Sequence, residues 1–207
     1  MHPDCKEMSA HMKWLGLGIL AQAQKNAFYW DYPDTLDRSV FAILQAAHAA
    51  EILIKSAIAQ EHPLLIFSQI PKSRSTDDEL LNISDLLQSG KTIQYSELPE
   101  RLWATTGYKL KEIETFQEFG KLRNIIQHLA LPKIDFSKQA AEFIYKVIDP
   151  LIGDFWGLYA VDHCDVESHE DDVFEILVRK GVTYFRYPER LTVQAEEALS
   201  NTEHSAI

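Results

Sequence analysis

The sequence predicts an all-α protein, an up-and-down helical bundle with small C-terminal appendages, and three observations carry that prediction. Long stretches repeat apolar residues at helical spacing. Proline, glycine and short polar runs mark the breaks between them, and no extended alternating pattern competes. With 207 residues, 46% of them apolar, the chain can bury a substantial core.

Taken in order, residues 8–28 set Met12, Leu15, Ile19 and Ala23 on one helical spacing, and Tyr29-Trp30-Asp31-Tyr32-Pro33 ends that helix. Asp37 or Ser39 can cap a second helix over 38–60, apolar nearly all round and therefore expected to run through the centre of the fold. Residues 63–70 read as a short helix stopped by Pro71, with a polar loop over 72–78. Residues 96–105 start another helix that tolerates Pro99 in its first turn. A strong helix over 109–129 ends before Pro132, which disfavours helical geometry at Leu131. Residues 137–159 form the next, bent at Pro150. Over 173–187 acid at the start, Arg179-Lys180 at the end and Gly181 after them favour a glycine-capped helix followed by an extended piece; the competitor is a hairpin turning at Lys180-Gly181. The expected organisation is a bundle over 1–160, an acidic extension over 161–200 and a disordered tail over 201–207.

Twenty basic residues stand against 31 acidic ones, a net charge of −11, which argues against broad binding to nucleic acid but leaves room for a local basic cleft. Two cysteines, Cys5 and Cys164, make no disulfide framework and suit a reducing cytoplasm. No secretory signal and no run of about twenty apolar residues is read, so neither a membrane partner nor a cofactor is expected. His163-Cys164 with Asp162, Asp165 and His169 offers metal-capable side chains without a zinc spacing, and no metal is expected there. Gly16-Leu17-Gly18 lacks the setting of a dinucleotide loop and reads as helix packing. Phe28, Tyr29, Trp30 and Tyr32 could stack on bases, but read more simply as a cluster at the core edge.

The helix over 109–129 carries the one chemical constellation. At about 100° per residue, Phe119, Leu122, Ile125, Ile126 and Leu129 fall on one arc, and Gly120, Arg123, Asn124, Gln127 and His128 on the other. Histidine can move a proton near neutral pH, and arginine's planar fork matches phosphate oxygens. Such a pair can promote attack of a ribose 2′-OH on the adjacent phosphorus without a metal, with Asn124 supporting. A solvated helix face is the plain alternative, and Arg-x4-His spacing alone is weak evidence in a chain this rich in histidine. On the second helix Gln45, His48, Glu51 and Lys55 form a polar line. Glu51 could hold Arg123 or tune His128, or could simply pair with Lys55 four residues on.

Arg123-Asn124-Ile125-Ile126-Gln127-His128 resembles the Arg-polar-x3-His signature of the HEPN superfamily of helical RNA-cleaving domains. Ala46-Ala-His-Ala-Ala-Glu-Ile-Leu-Ile-Lys55 and Lys91-Thr-Ile-Gln-Tyr-Ser-Glu-Leu98 are similar to segments of bacterial members, in the same order, so the likeness covers about residues 39–131. The resemblance implies a HEPN-type bundle that dimerises with signature helices facing each other. It also implies metal-independent endoribonuclease activity of the toxin–antitoxin or antiviral-defence kind, with Arg123 and His128 catalytic and Asn124 supporting; Gln127 on the stripe and Glu51, His48 and Lys55 on the second helix are the supporting residues that the residue pattern itself suggests. An antitoxin or defence-system protein would be the partner. Members paired with nucleotidyltransferase antitoxins carry a tyrosine where this chain has Ala130, so neutralisation at that residue is not implied. The alternative from another class is a non-catalytic interaction module that binds a protein or nucleotide through the same stripe.

Overall fold

The computed structural model describes residues 3–28, 38–72, 80–129, 133–164 and 171–204. The expectations for the aromatic turn, Asp37, Ala130, the Leu131–Pro132 stop, Asp165, His169 and the last three residues lie outside them. The fold is all-α. Its helices are α1 (Pro3–Lys6), α2 (Met8–Phe28), α3 (Ser39–Glu61), α4 (Ile83–Ser89), α5 (Leu98–Thr106), α6 (Ile113–His128), α7 (Phe136–Phe143), α8 (Asp149–Trp156), α9 (Asp171–Arg179) and α10 (Thr192–His204). Two short strands, β1 (Phe67–Gln69) and β2 (Lys91–Thr92), pair antiparallel.

The chain divides into two compact units. One comprises Met1–Gly16 with Glu51–Lys111, the other Leu17–Ala50 with Glu112–Ile207.

In the first unit, two serines tie α2 to α3: Ser9 Oγ donates to the Ser56 carbonyl at 2.9 Å, and Ser56 Oγ to the Ser9 carbonyl at 2.8 Å. Gly16 is there for closeness, since a Cβ on it would sit 2.7 Å from Leu53 Cγ. Residues 63–70 are not one helix. A 3-10 turn over Pro63–Ile66 leads straight into β1, where the Ile93 amide donates to the Ile66 carbonyl at 2.9 Å. Four residues opened by proline suffice for a turn, and pairing with β2 satisfies the backbone that a helix would otherwise have to satisfy. α4 begins with a reciprocal cap between Asn82 and Asp85, and Gly107 closes α5 at φ 76°.

The second unit is organised by α2, the apolar first half of α3, and α6 to α8. Leu20, Ala23, Ile43, Ala46 and Ala50 are fully buried, and Asn26 Nδ2 donates to Gln45 Oε1 at 2.7 Å. By length and composition α3 is apolar enough to cross a membrane, contrary to the sequence expectation, because alanines carry much of its apolarity. Its apolar window is 67% buried, however, which marks a core helix. The helix expected over 137–159 runs from Phe136 to Trp156 and widens to a π-turn at Ile144–Ile148, where the Asp149 amide donates to the Ile144 carbonyl. Pro150 explains the widening: it offers no N–H to the preceding turn, and its ring would strike the carbonyl four residues back. α9 ends at Arg179 and Gly181 follows two residues on with φ 78°, so the helix with a glycine after it is what forms and the hairpin is not. α10 continues through His204, past Asn201 where the sequence reading begins a disordered tail.

Asp149 is fully buried on α8 and is held by Arg186 from the extended segment after α9. Arg186 Nε donates to Asp149 Oδ2 at 2.8 Å, and Nη2 to the Leu158 carbonyl at 3.0 Å. The guanidinium also lies 5.2 Å from the centre of the Tyr159 ring. The Ala160 amide donates to Asp149 Oδ1 at 2.8 Å. Gly153 leaves room for the guanidinium, since a Cβ there would meet Arg186 Nη1 at 2.0 Å. Removing Arg186 strands a buried carboxylate, so Arg186→Ala is expected to cost about 3 kcal/mol in urea denaturation.

Burial raises the Asp149 carboxyl above its ordinary 3.8, while Arg186 and the Ala160 amide pull it down. Folding therefore favours the protonated form here. The contribution is fully present below the unfolded-state value and is lost as pH rises through the raised native one. Relative to Asp149→Asn, wild-type stability is expected to decline as pH climbs from 3.8, read from urea midpoints at stepped pH.

Candidate functional site

The rotation of α6 about its axis is set by aromatic packing at its N-terminal half. Phe116, Phe119 and Gly120 are its buried residues. Phe119 stacks on Phe143 of α7, ring centres 3.8 Å apart and 3° from parallel, and Phe116 lies 6.3 Å from the same ring. These contacts redraw the two arcs expected from the sequence. Gly120, placed on the polar arc, is buried, while Ile125 and Leu129, placed on the apolar arc, are 40% and 81% exposed. The arcs were drawn from side-chain polarity, whereas the rings at 116 and 119 decide which side meets the core.

The predicted stripe is divided accordingly. Arg123 lies about 20° around the helix from Phe116 and 40° from Phe119, which leaves it half-buried. Its Nη1 donates to Asn124 Oδ1 at 3.3 Å. Asn124, Gln127 and His128 are exposed. His128 closes the helix, and the Leu129 amide beyond it donates to the Ile125 carbonyl. Within one helix Arg123 and His128 stand about 140° apart and roughly 7.5 Å along the axis. One copy of α6 therefore offers a guanidinium and an imidazole to different sides.

Of the supporting residues, His48 belongs to the second unit with the signature residues and is exposed. Glu51 and Lys55 belong to the first unit and pair with each other. Lys55 is buried, its Nζ 2.6 Å from Glu51 Oε1 and 3.2 Å from Thr92 Oγ1, so it ties α3 to β2. This is the local i,i+4 pair weighed in the sequence, carried further by the threonine hydroxyl.

Around His163-Cys164, Cys164 Sγ donates to Gln24 Oε1 at 3.1 Å, and burial pushes its thiol up to about 12. Tyr145 also donates to Gln24 Oε1, at 2.7 Å, and Gln24 Nε2 donates to the Ala160 carbonyl at 2.9 Å. Asp162 pairs with Arg190. Burial lowers the His163 pKa and favours the neutral ring. Among the described residues no three His, Cys, Asp or Glu side chains gather as metal ligands. Phe28 is buried 6.4 Å from the Tyr145 ring, a core position; Tyr29, Trp30 and Tyr32 lie outside the described residues.

Sequence reasoning missed the Gln24 network and the Asp149–Arg186 clamp, whose members stand up to 140 residues apart. The visible hint is a pair of glutamines, Gln22 and Gln24, between the alanines of α2.

No family model, curated protein or solved structure matches the chain. Its class is therefore the one that fold and geometry define: an all-α protein with an exposed imidazole and a half-buried guanidinium on one helix.

Because Asn124 and His128 are exposed, replacing either by alanine is expected to change stability by less than about 0.5 kcal/mol, checked by urea denaturation. Loss of any activity in those variants would then report on chemistry rather than folding.

Proposed function

We propose that the protein is a metal-independent endoribonuclease of HEPN type, acting in the cytoplasm as a homodimer in a toxin–antitoxin or antiviral-defence setting. The observation that carries this reading is the C-terminal half of α6. From Arg123 to His128 it buries no residue fully, yet it presents Arg123, Asn124, Gln127 and His128 in succession. The separation of Arg123 and His128 around the helix supports a composite site. A two-fold axis running past α6 brings the imidazole of one copy toward the guanidinium of the other, and one sequence supplies both halves. The exposed Ile125 and Leu129 beside His128 give such a pairing apolar surface to cover.

In the proposed reaction His128 accepts the proton of the ribose 2′-OH as that oxygen bonds to the adjacent phosphorus. Arg123 holds the non-bridging oxygens while negative charge develops on them. The phosphorus–O5′ bond breaks, the leaving oxygen takes a proton from protonated His128, and the strand ends in a 2′,3′-cyclic phosphate. Asn124, already bonded to Arg123, steadies the guanidinium.

A non-catalytic binding module is the second reading. It is favoured by the net charge of −11, which opposes RNA, and by the apolar Ile125 and Leu129, which suit a protein partner.

The expected result is RNA cleavage that survives EDTA and leaves cyclic phosphate ends. Activity is expected to fall by about 100-fold or more in His128→Ala and to a similar extent in Arg123→Ala. The solution mass is expected to be twice 23.7 kDa. Equal cleavage by all three folded proteins removes the mechanism. Absence of cleavage, with partner capture lost on changing Gln127 or Arg123, favours the binding module.

A further inference from the structure

We infer that Lys121, Lys133 and Lys138 extend the α6 site into a track for the phosphates of single-stranded RNA. The inference rests on the nuclease reading in taking RNA as the ligand. Residues 119–134 contain Lys121, Arg123 and Lys133 and no aspartate or glutamate, in a chain whose net charge is −11. Such concentration of positive charge in an acidic protein creates a local field that the total conceals.

The structure exposes all three lysines within the second unit. Lys121 sits about 20° around α6 from His128, roughly two turns earlier on the exposed side. Lys133 follows the helix, and Lys138 lies in the first turn of α7. None of the three makes an ion pair among the described residues.

A helix N-terminus favours negative charge, and α7 already receives it from Asp135, whose carboxylate accepts the Lys138 amide at 2.9 Å. A lysine side chain in that turn works against the helix dipole, with Asp135 three residues before it and Glu142 four after it as its acidic neighbours. The acids facing this region also define a direction. Glu114 and Glu118 occupy the N-terminal half of the exposed side of α6, and Glu142 is engaged by Lys146. Phosphates are therefore repelled from the start of α6 and drawn across its end toward α7.

The test measures binding of a fluorescein-labelled single-stranded RNA at stepped salt, in a His128→Ala background so that the probe stays intact. Combining Lys121→Gln, Lys133→Gln and Lys138→Gln is expected to lower the salt slope by about 2 and the affinity roughly 100-fold at 0.1 M salt. Lys180→Gln, in the turn that follows α9, is expected to change neither. Unchanged slope and affinity in the triple variant overturn the inference, as does failure of the parent to bind RNA. Equal affinity for a poly-glutamate peptide overturns it too, because the track would then serve an acidic protein segment. Lysine-dependent binding without cleavage by the His128-intact protein upholds the track and removes the nuclease reading. Cleavage with lysine-independent binding does the reverse.

Discussion

Everything that can be said of the candidate site depends on how α6 is rotated, and a flat contact between two phenyl rings governs that. Phe119 lies against Phe143 almost parallel, with Phe116 at the edge of the same ring. Face-to-face stacking is not the arrangement that ring quadrupoles prefer. Burial of large apolar surface therefore holds it, at about 25 cal/mol per Å² removed from water, together with the close fit of the interior. With that face turned inward, Arg123 is drawn half into the fold while Asn124 and His128 face solvent. A rotation of one residue would bury His128's side of the helix instead.

A second constraint is polar. Asp149 and Gln24 are fully buried, and neither could be tolerated without partners. Arg186 and the Ala160 amide answer the first; Tyr145 and Cys164 donate to the second. Both networks converge on Ala160, whose amide serves Asp149 and whose carbonyl serves Gln24. The short turn after α8 is thus held from two directions. Gly153, bare so that a guanidinium can lie over it, belongs to the same arrangement.

The charge of the chain is unevenly distributed along the sequence. Acid dominates the total, but Glu112, Glu114 and Glu118 precede Gly120 and only cations follow it until Asp135. Imidazole, guanidinium and ammonium groups are then gathered where the helix carries no fully buried side chain.

The sequence by itself determined the helices. The extents of α2 and α3, the glycine end of α9 and the disturbance at Pro150 follow from periodicity, caps and the missing proline N–H, which act over a few residues. It also singled out Arg123, Asn124, Gln127 and His128, because side-chain chemistry is written in the residue type. Only the tertiary structure decided which side of α6 is inside, that Gly120 is buried while Leu129 is not, and that Lys55 reaches from Glu51 to Thr92. It alone showed the 3-10 turn and strand where a short helix was expected, and the partner that a buried aspartate finds 37 residues away. The reason is physical. Local propensity depends on neighbours along the chain, whereas burial depends on which surfaces meet, and polarity is a poor guide to that when an arginine can lie along the edge of an aromatic core.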